Sequence, residues 1–127
     1  MKNIFILLFF LMLMSVLISG CEKTNVTSDD LIGEWIDESK ADTIRFIDDA
    51  NFYRSTKNMH YDHYDYSIKG DSITIRYNGM LKIYVQSTTH YFKLKGNELM
   101  IDLTNSMCYG FPEEKMYYKK VREFIPE

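Results

Sequence analysis

Residues 31–127 predict an all-β domain, a small up-and-down antiparallel barrel of about eight strands. Three observations carry this. Apolar and polar residues alternate at period 2 along most of the segment, as in Ser72-Ile-Thr-Ile-Arg-Tyr77, the pattern of a strand with one buried and one wet face. The alternating runs are joined by dipeptides that tolerate positive φ, Gly70-Asp71, Asn78-Gly79 and Gly96-Asn97, so consecutive strands are expected to pair as hairpins. No segment from Leu31 to Glu127 holds an extended apolar stripe of helical period.

In chain order, Ser28 or Asp29 caps a single helical turn ahead of a first strand over Leu31–Asp37. Strands over Thr43–Ile47 and Phe52–Ser55 flank Asp48-Asp49-Ala50-Asn51, which reads as a tight hairpin. From about Tyr61 to Leu103 five consecutive strands are expected. They include Ser72–Tyr77, Leu81–Gln86, Tyr91–Lys95 and Leu99–Leu103, with Thr88-Thr89 joining the pair around it. A last strand falls at about Lys115–Val121. That makes nine candidates, one of them short or merged. So many twisted antiparallel strands lose their open edges most readily by closing. At eight strands the interior is filled by side chains or holds one small ligand.

Ahead of the barrel, Lys2 precedes an apolar run from Ile4 to Leu17 broken only by Ser15. The run is too short to cross a hydrocarbon core, which needs roughly 20 residues, and its flanks are those of a secretory signal. Ile18-Ser19-Gly20-Cys21 resembles the bacterial lipobox. That resemblance implies cleavage before Cys21 and acylation, palmitate included, of the new N-terminal cysteine. The expected organisation is a lipoprotein signal peptide over 1–20, a lipid anchor and flexible tether over 21–30, and the barrel over 31–127. The expected address is the cell envelope, lipid-anchored, at the outer membrane.

The chain's 127 residues less the first 20 leave 107, the size of one domain. The leader holds one lysine and no acid, so the remainder carries 14 basic and 18 acidic residues, net −4. No block of Lys and Arg appears, and nucleic acid is not expected as a partner. With Cys21 acylated, Cys108 stands without an internal disulfide partner and reads as a buried or partly buried thiol.

Gly33-Glu34-Trp35 in the first strand resembles the Gly-x-Trp signature of lipocalins. Leu31 to Val121 resembles the short lipocalin-like lipoproteins common in Bacteroidetes. The shared features are Leu-Ile-Gly-Glu-Trp, Phe46 and Phe52 around an acidic hairpin, and repeated aromatic-x-aliphatic-x-Gly-Asp/Asn hairpins. The resemblance implies that Gly33 lets the chain bend at the barrel base and that the Trp35 indole plugs this closed end. It also implies a basic side chain from the end of the barrel packed on the indole. Arg122 lies where that residue falls, with Lys119 and Lys120 as competitors. The chain is shorter than a typical lipocalin, which argues against a deep calyx.

Candidate chemistry is sparse. His60-Tyr-Asp-His63 is the one His/Asp cluster, but an i, i+3 pair on a strand points to opposite faces, so no metal site is expected. There is no Gly-x-Ser-x-Gly, and the acidic pairs Asp29-Asp30, Asp48-Asp49 and Glu113-Glu114 fall in the tether or in turns. The reading is therefore non-enzymatic, without a cofactor; a hydrolase or metal-dependent activity lacking familiar motifs is the third-ranked alternative.

The aromatic residues are more informative. Ile73, Ile75, Ile83, Val85, Leu94, Leu99 and Ile101 are expected inside, together with Tyr77 and Phe92. Tyr64 and Tyr66 are expected to bring hydroxyls toward the mouth opposite Trp35, with His60 at the rim. His60, Tyr64, Tyr66, Tyr77 and Phe92 form the expected ligand-facing set. The apolar loop Asn105–Pro112 either tucks over the barrel end as a lid, the favoured reading, or is offered to a partner. The leading function is a binding lipoprotein for a small apolar ligand or peptide. The alternative is a protein–protein module, an envelope inhibitor or assembly partner, with a solidly packed barrel.

Overall fold

A computed structural model describes residues 25–122; Cys21 and the leader lie outside the described residues. A four-residue helical turn, α1 (Ser28–Leu31), is followed by eight strands: β1 (Gly33–Asp37), β2 (Asp42–Phe46), β3 (Asn51–Thr56), β4 (Met59–Lys69), β5 (Ser72–Tyr77), β6 (Thr88–Lys95), β7 (Glu98–Asp102) and β8 (Lys115–Arg122). Each strand pairs antiparallel with the next, and β8 pairs with β1, so the sheet closes as an up-and-down barrel.

The local chemistry of the turns matches this order. Gly70 and Gly96 carry φ of 61° and 58° at the first central position of the β4–β5 and β6–β7 hairpins, where a type II′ turn needs glycine. In the β2–β3 hairpin the Asp48 carboxylate accepts hydrogen bonds from the Ala50 and Asn51 amides at 2.9 and 2.7 Å, an Asx turn. The helical turn is capped by Thr27, one residue before the expected caps, with Asp30 reaching back to the Thr27 amide at 2.8 Å.

The sequence expectation of a strand at Leu81–Gln86 is not met. Residues 78–87 form an irregular ten-residue connection, and β5 pairs directly with β6 through Ile75–Thr88 to Ser72–Tyr91. With the barrel closed at eight strands, no edge remains for a ninth to join. Asn78-Gly79 therefore opens a long loop instead of turning a hairpin, and Thr88-Thr89 begins β6. Ile83 is exposed and Val85 only partly buried against the core, so neither belongs to the interior as expected.

The barrel's two ends differ. At the closed end α1 lays Leu31 across the base, and the fully buried Trp35 donates its indole N–H to the Leu31 carbonyl at 2.7 Å. Gly33 has φ of 139° beside an irregularity in the β1–β8 register, a bend that only glycine adopts without strain. The Lys120 ammonium lies 5.6 Å from the Trp35 ring centroid, within cation–π range. Lys120 is one of the three basic residues expected there. The Arg122 side chain lies outside the described residues. At the other end stand the two long connections, 78–87 and 103–114.

Candidate functional site: the barrel mouth

Inward residues of β2 to β5 build a column of aromatic rings through the barrel. Phe46 contacts Phe52 and Tyr66 near the base, and Phe52 stacks on Tyr64 with centroids 5.0 Å apart and an interplanar angle of 3°. Tyr64 meets Tyr77 and Phe111 edge-on at 5.5 and 5.3 Å, and Tyr77 meets Tyr109 at 4.7 Å. Tyr64, Tyr66, Tyr77 and Phe92 are all buried as expected. The Tyr66 hydroxyl, however, donates to Asp48 O at 2.6 Å in the β2–β3 turn at the closed end, so of the two tyrosines only Tyr64 brings its hydroxyl toward the mouth. Burial raises the Tyr64 phenol to about 12 and moves Tyr66 and Tyr118 upward as well, so all three stay protonated at neutral pH.

His60 corrects the expectation: it is exposed and contributes nothing to the interior. Between Arg54↔Asp62 and Thr56↔Met59 the register shifts, with β4 holding the extra residue. That bulge turns His60 off the inward face, while Tyr61 stays outside against Arg45. His63 stays on the outer face, its ring nitrogens against Asn78 O and Asn51 Oδ1 at 3.0 and 2.7 Å. Among the described residues no three His, Cys, Asp or Glu side chains converge as metal ligands.

The sequence reading passed over a polar core. Arg54, 3% exposed, binds Asp42 by three hydrogen bonds of 3.2, 3.0 and 2.7 Å. Its other terminal nitrogen donates to Gly110 O, and its guanidinium lies 3.9 Å from the Phe111 ring centroid. Burial opposes the charge on Arg54, but hydrogen bonding and attraction from Asp42 outweigh it and raise the pKa. Both residues were legible from parity: Asp42 shares a face with Ile44 and Phe46, and Arg54 with Phe52. The Tyr118 hydroxyl is buried close by, with no hydrogen-bond partner of normal geometry among the described residues.

These inward groups hold the 103–114 connection over the mouth. Arg54 takes Gly110 O, the Tyr64 hydroxyl donates to Tyr109 O at 3.1 Å, and Ser106 Oγ meets His90 Nδ1 at 2.9 Å. On the rim Lys40 reaches Lys115 O at 3.1 Å and Glu114 at 3.2 Å. Leu103, Cys108 and Phe111 are buried beneath the loop, as the lid reading expects. Gly110 has φ of 82°, and a Cβ there would overlap the Tyr64 hydroxyl.

His90 and Ser106 lie at the distance of a serine–histidine pair. Ser106 Oγ is also 3.2 Å from Leu103 O, so its one proton has two acceptors within reach and the His90 tautomer sets which it takes. His90 Nε2 lies 2.7 Å from the Thr88 hydroxyl. Burial lowers the His90 pKa. The Cys108 thiol is pushed up by burial, away from the thiolate that reactivity requires.

Outside this plug lies an open, largely apolar groove of about 530 Å³ between the two long connections, walled by Ile83, Tyr84 and Val85 on one side and Met107, Tyr109 and Phe111 on the other, with Gln86 and Glu113 as polar lining. Its walls include the exposed Tyr84 and Met107, 94% and 83% exposed, and Met80 and Leu81 of the same 78–87 connection are exposed as well. Comparison with protein-family models, with curated proteins and with solved structures finds no match to this chain.

Proposed function

We propose that this chain is a lipoprotein of the cell envelope, anchored at the outer membrane through acyl chains on Cys21, and that its barrel binds and does not catalyse. Its ligand is an apolar segment of another polypeptide, seated in the groove at the barrel mouth. The observation that carries this reading is the contrast between a filled interior and an apolar groove above it. A small ligand inside the barrel would displace the Phe52–Tyr64–Phe111 cluster and the bonds of Arg54 to Asp42 and Gly110. A peptide in the groove displaces only water from Ile83, Tyr84 and Met107, and adaptable Met together with Tyr suits such a surface. The signal-like leader, the lipobox-like tetrapeptide and the resemblance to short lipocalin-like lipoproteins support the envelope address.

The test is a photo-crosslinking residue in place of Tyr84 or Met107 in the full lipoprotein, with Lys57 as a control site on the opposite side of the rim. The expected result is a discrete polypeptide adduct from positions 84 and 107, absent at 57 and lost when Ile83 and Tyr109 are changed to Ser. A small apolar molecule retained by the purified protein in native mass spectrometry, with no adduct, would favour the small-ligand reading instead.

A further inference from the structure

We infer that the outer face of β6, β7 and β8 is a second interaction surface, one that rests against an anionic lipid bilayer; this builds on the acylation of Cys21 proposed above. The strand register lays two rows of outward side chains across this face, Lys93–Met100–Tyr117 and Lys95–Glu98–Lys119. Together they bound a shallow groove of about 270 Å³. Its floor is apolar, with Met100 partly buried and Tyr117 61% exposed. Three lysines rim it, and its one acidic lining residue, Glu98, stands directly across from Lys119. The chain as a whole carries a net charge of −3, so this face reverses the sign of the molecule.

Position selects the occupant. Lys95, Glu98 and Lys119 flank the Gly96-Asn97 hairpin at the closed end, the end where the chain enters the barrel through Ser28–Leu31. Cys21 stands four residues before Asn25, the first described residue, and four residues reach at most about 14 Å. An acyl anchor there holds the closed end near the bilayer and turns the mouth groove away from it. Lysines that lay their stems along an apolar floor and extend their ammonium groups suit a headgroup layer. A tyrosine with a wet hydroxyl suits the same depth, and anionic headgroups supply the complementary charge.

All eight strands and the closing β1–β8 pair lie within residues 33–122, so the unacylated 22–127 polypeptide carries the complete barrel. Its partitioning is to be measured on vesicles of phosphatidylcholine alone and of phosphatidylcholine with an equal share of phosphatidylglycerol. The expected result is binding to the anionic vesicles only, weakened about fivefold by each of Lys95→Gln and Lys119→Gln and also weakened by Tyr117→Ser. Lys57→Gln and Lys82→Gln, at the mouth end, should leave it unchanged, and Trp35 fluorescence reports whether each variant is folded. Equal binding to both vesicles, equal loss from the mouth-end variants, or capture of polyglutamate in preference to vesicles overturns the inference. Mass spectrometry of the full lipoprotein separates the two ideas. Cys21 without acyl chains removes the anchoring reading and leaves the vesicle result to judge the surface. Acylated Cys21 with charge-indifferent binding removes the surface and leaves the anchor.

Discussion

Arg54 joins Asp42 by three hydrogen bonds inside the barrel and meets the ring of Phe111 at 3.9 Å on the side of the mouth connection. One side chain thus links the β2–β3 pair to the loop that closes the barrel. A buried ion pair contributes little net stability over an apolar pair, but either partner left alone is costly. Arg54→Met should destabilise the domain by about 3–5 kcal/mol, and the double variant Arg54→Met/Asp42→Leu should recover most of that. Urea denaturation followed by Trp35 emission checks both. Additive losses in the double variant would refute the coupling.

Removing the Trp35 indole should be comparably damaging. Trp35→Ala should cost about 3–5 kcal/mol, enough to unfold a marginal domain of this size. Trp35→Phe should cost less, leaving Leu31 O without its indole donor. Lys120→Met should cost about 0.5–1 kcal/mol through the lost cation–π contact. Thermal and urea midpoints rank the three.

Acidification should loosen the mouth through His90. Its pKa is lowered in the folded protein by burial, so the unfolded chain binds the extra proton first. Stability is then highest above the ordinary value of 6.5 and falls as pH drops through that value toward the lower folded one. The carboxylates Asp48, Asp65 and Asp102, whose pKa values are depressed below 3.8, lose their contribution only in a more acidic window. The slope of the urea midpoint against pH in the upper window should flatten in His90→Gln. An unchanged slope would assign the effect elsewhere.

The mouth connection should open when Gly110 gains a side chain. Gly110→Ala combines a strained positive φ with overlap on the Tyr64 hydroxyl. Hydrogen exchange should accelerate at residues 103–114 while β4 and β5 remain protected. Uniform acceleration across the barrel would mean that the connection and the barrel unfold together.

Cys21→Ser should leave an uncleaved or unanchored product. Two or more acyl chains give stable anchoring where one gives marginal binding, so radiolabelled palmitate should follow the wild-type chain into the membrane fraction and not the variant. Membrane retention of an unlabelled, intact barrel would count against the assignment.

Period-2 alternation and turn chemistry are local properties, and the chain itself determined what depends on them: all eight strands to within a few residues, the Asp48 turn, both Gly-Asp/Asn hairpins and the inward set Ile73, Ile75, Tyr77, Phe92, Leu94, Leu99 and Ile101. The parity that placed Ile44 and Phe52 inside also placed Asp42 and Arg54 there; their pairing needed only the β2–β3 register to be seen. What the tertiary structure decided depends on partners distant in sequence. Leu81–Gln86 alternates like a strand but finds no edge once β5 pairs with β6. His60 has the parity of an inward residue until a bulge against β3 reverses it. Lys120 meets Trp35 across the closing β1–β8 pair, whose register carries an irregularity. The mouth groove exists only where two long connections from different parts of the chain face each other across a closed barrel. Such choices are made by which backbone groups remain to be paired after closure, and no alternation within a single segment encodes that.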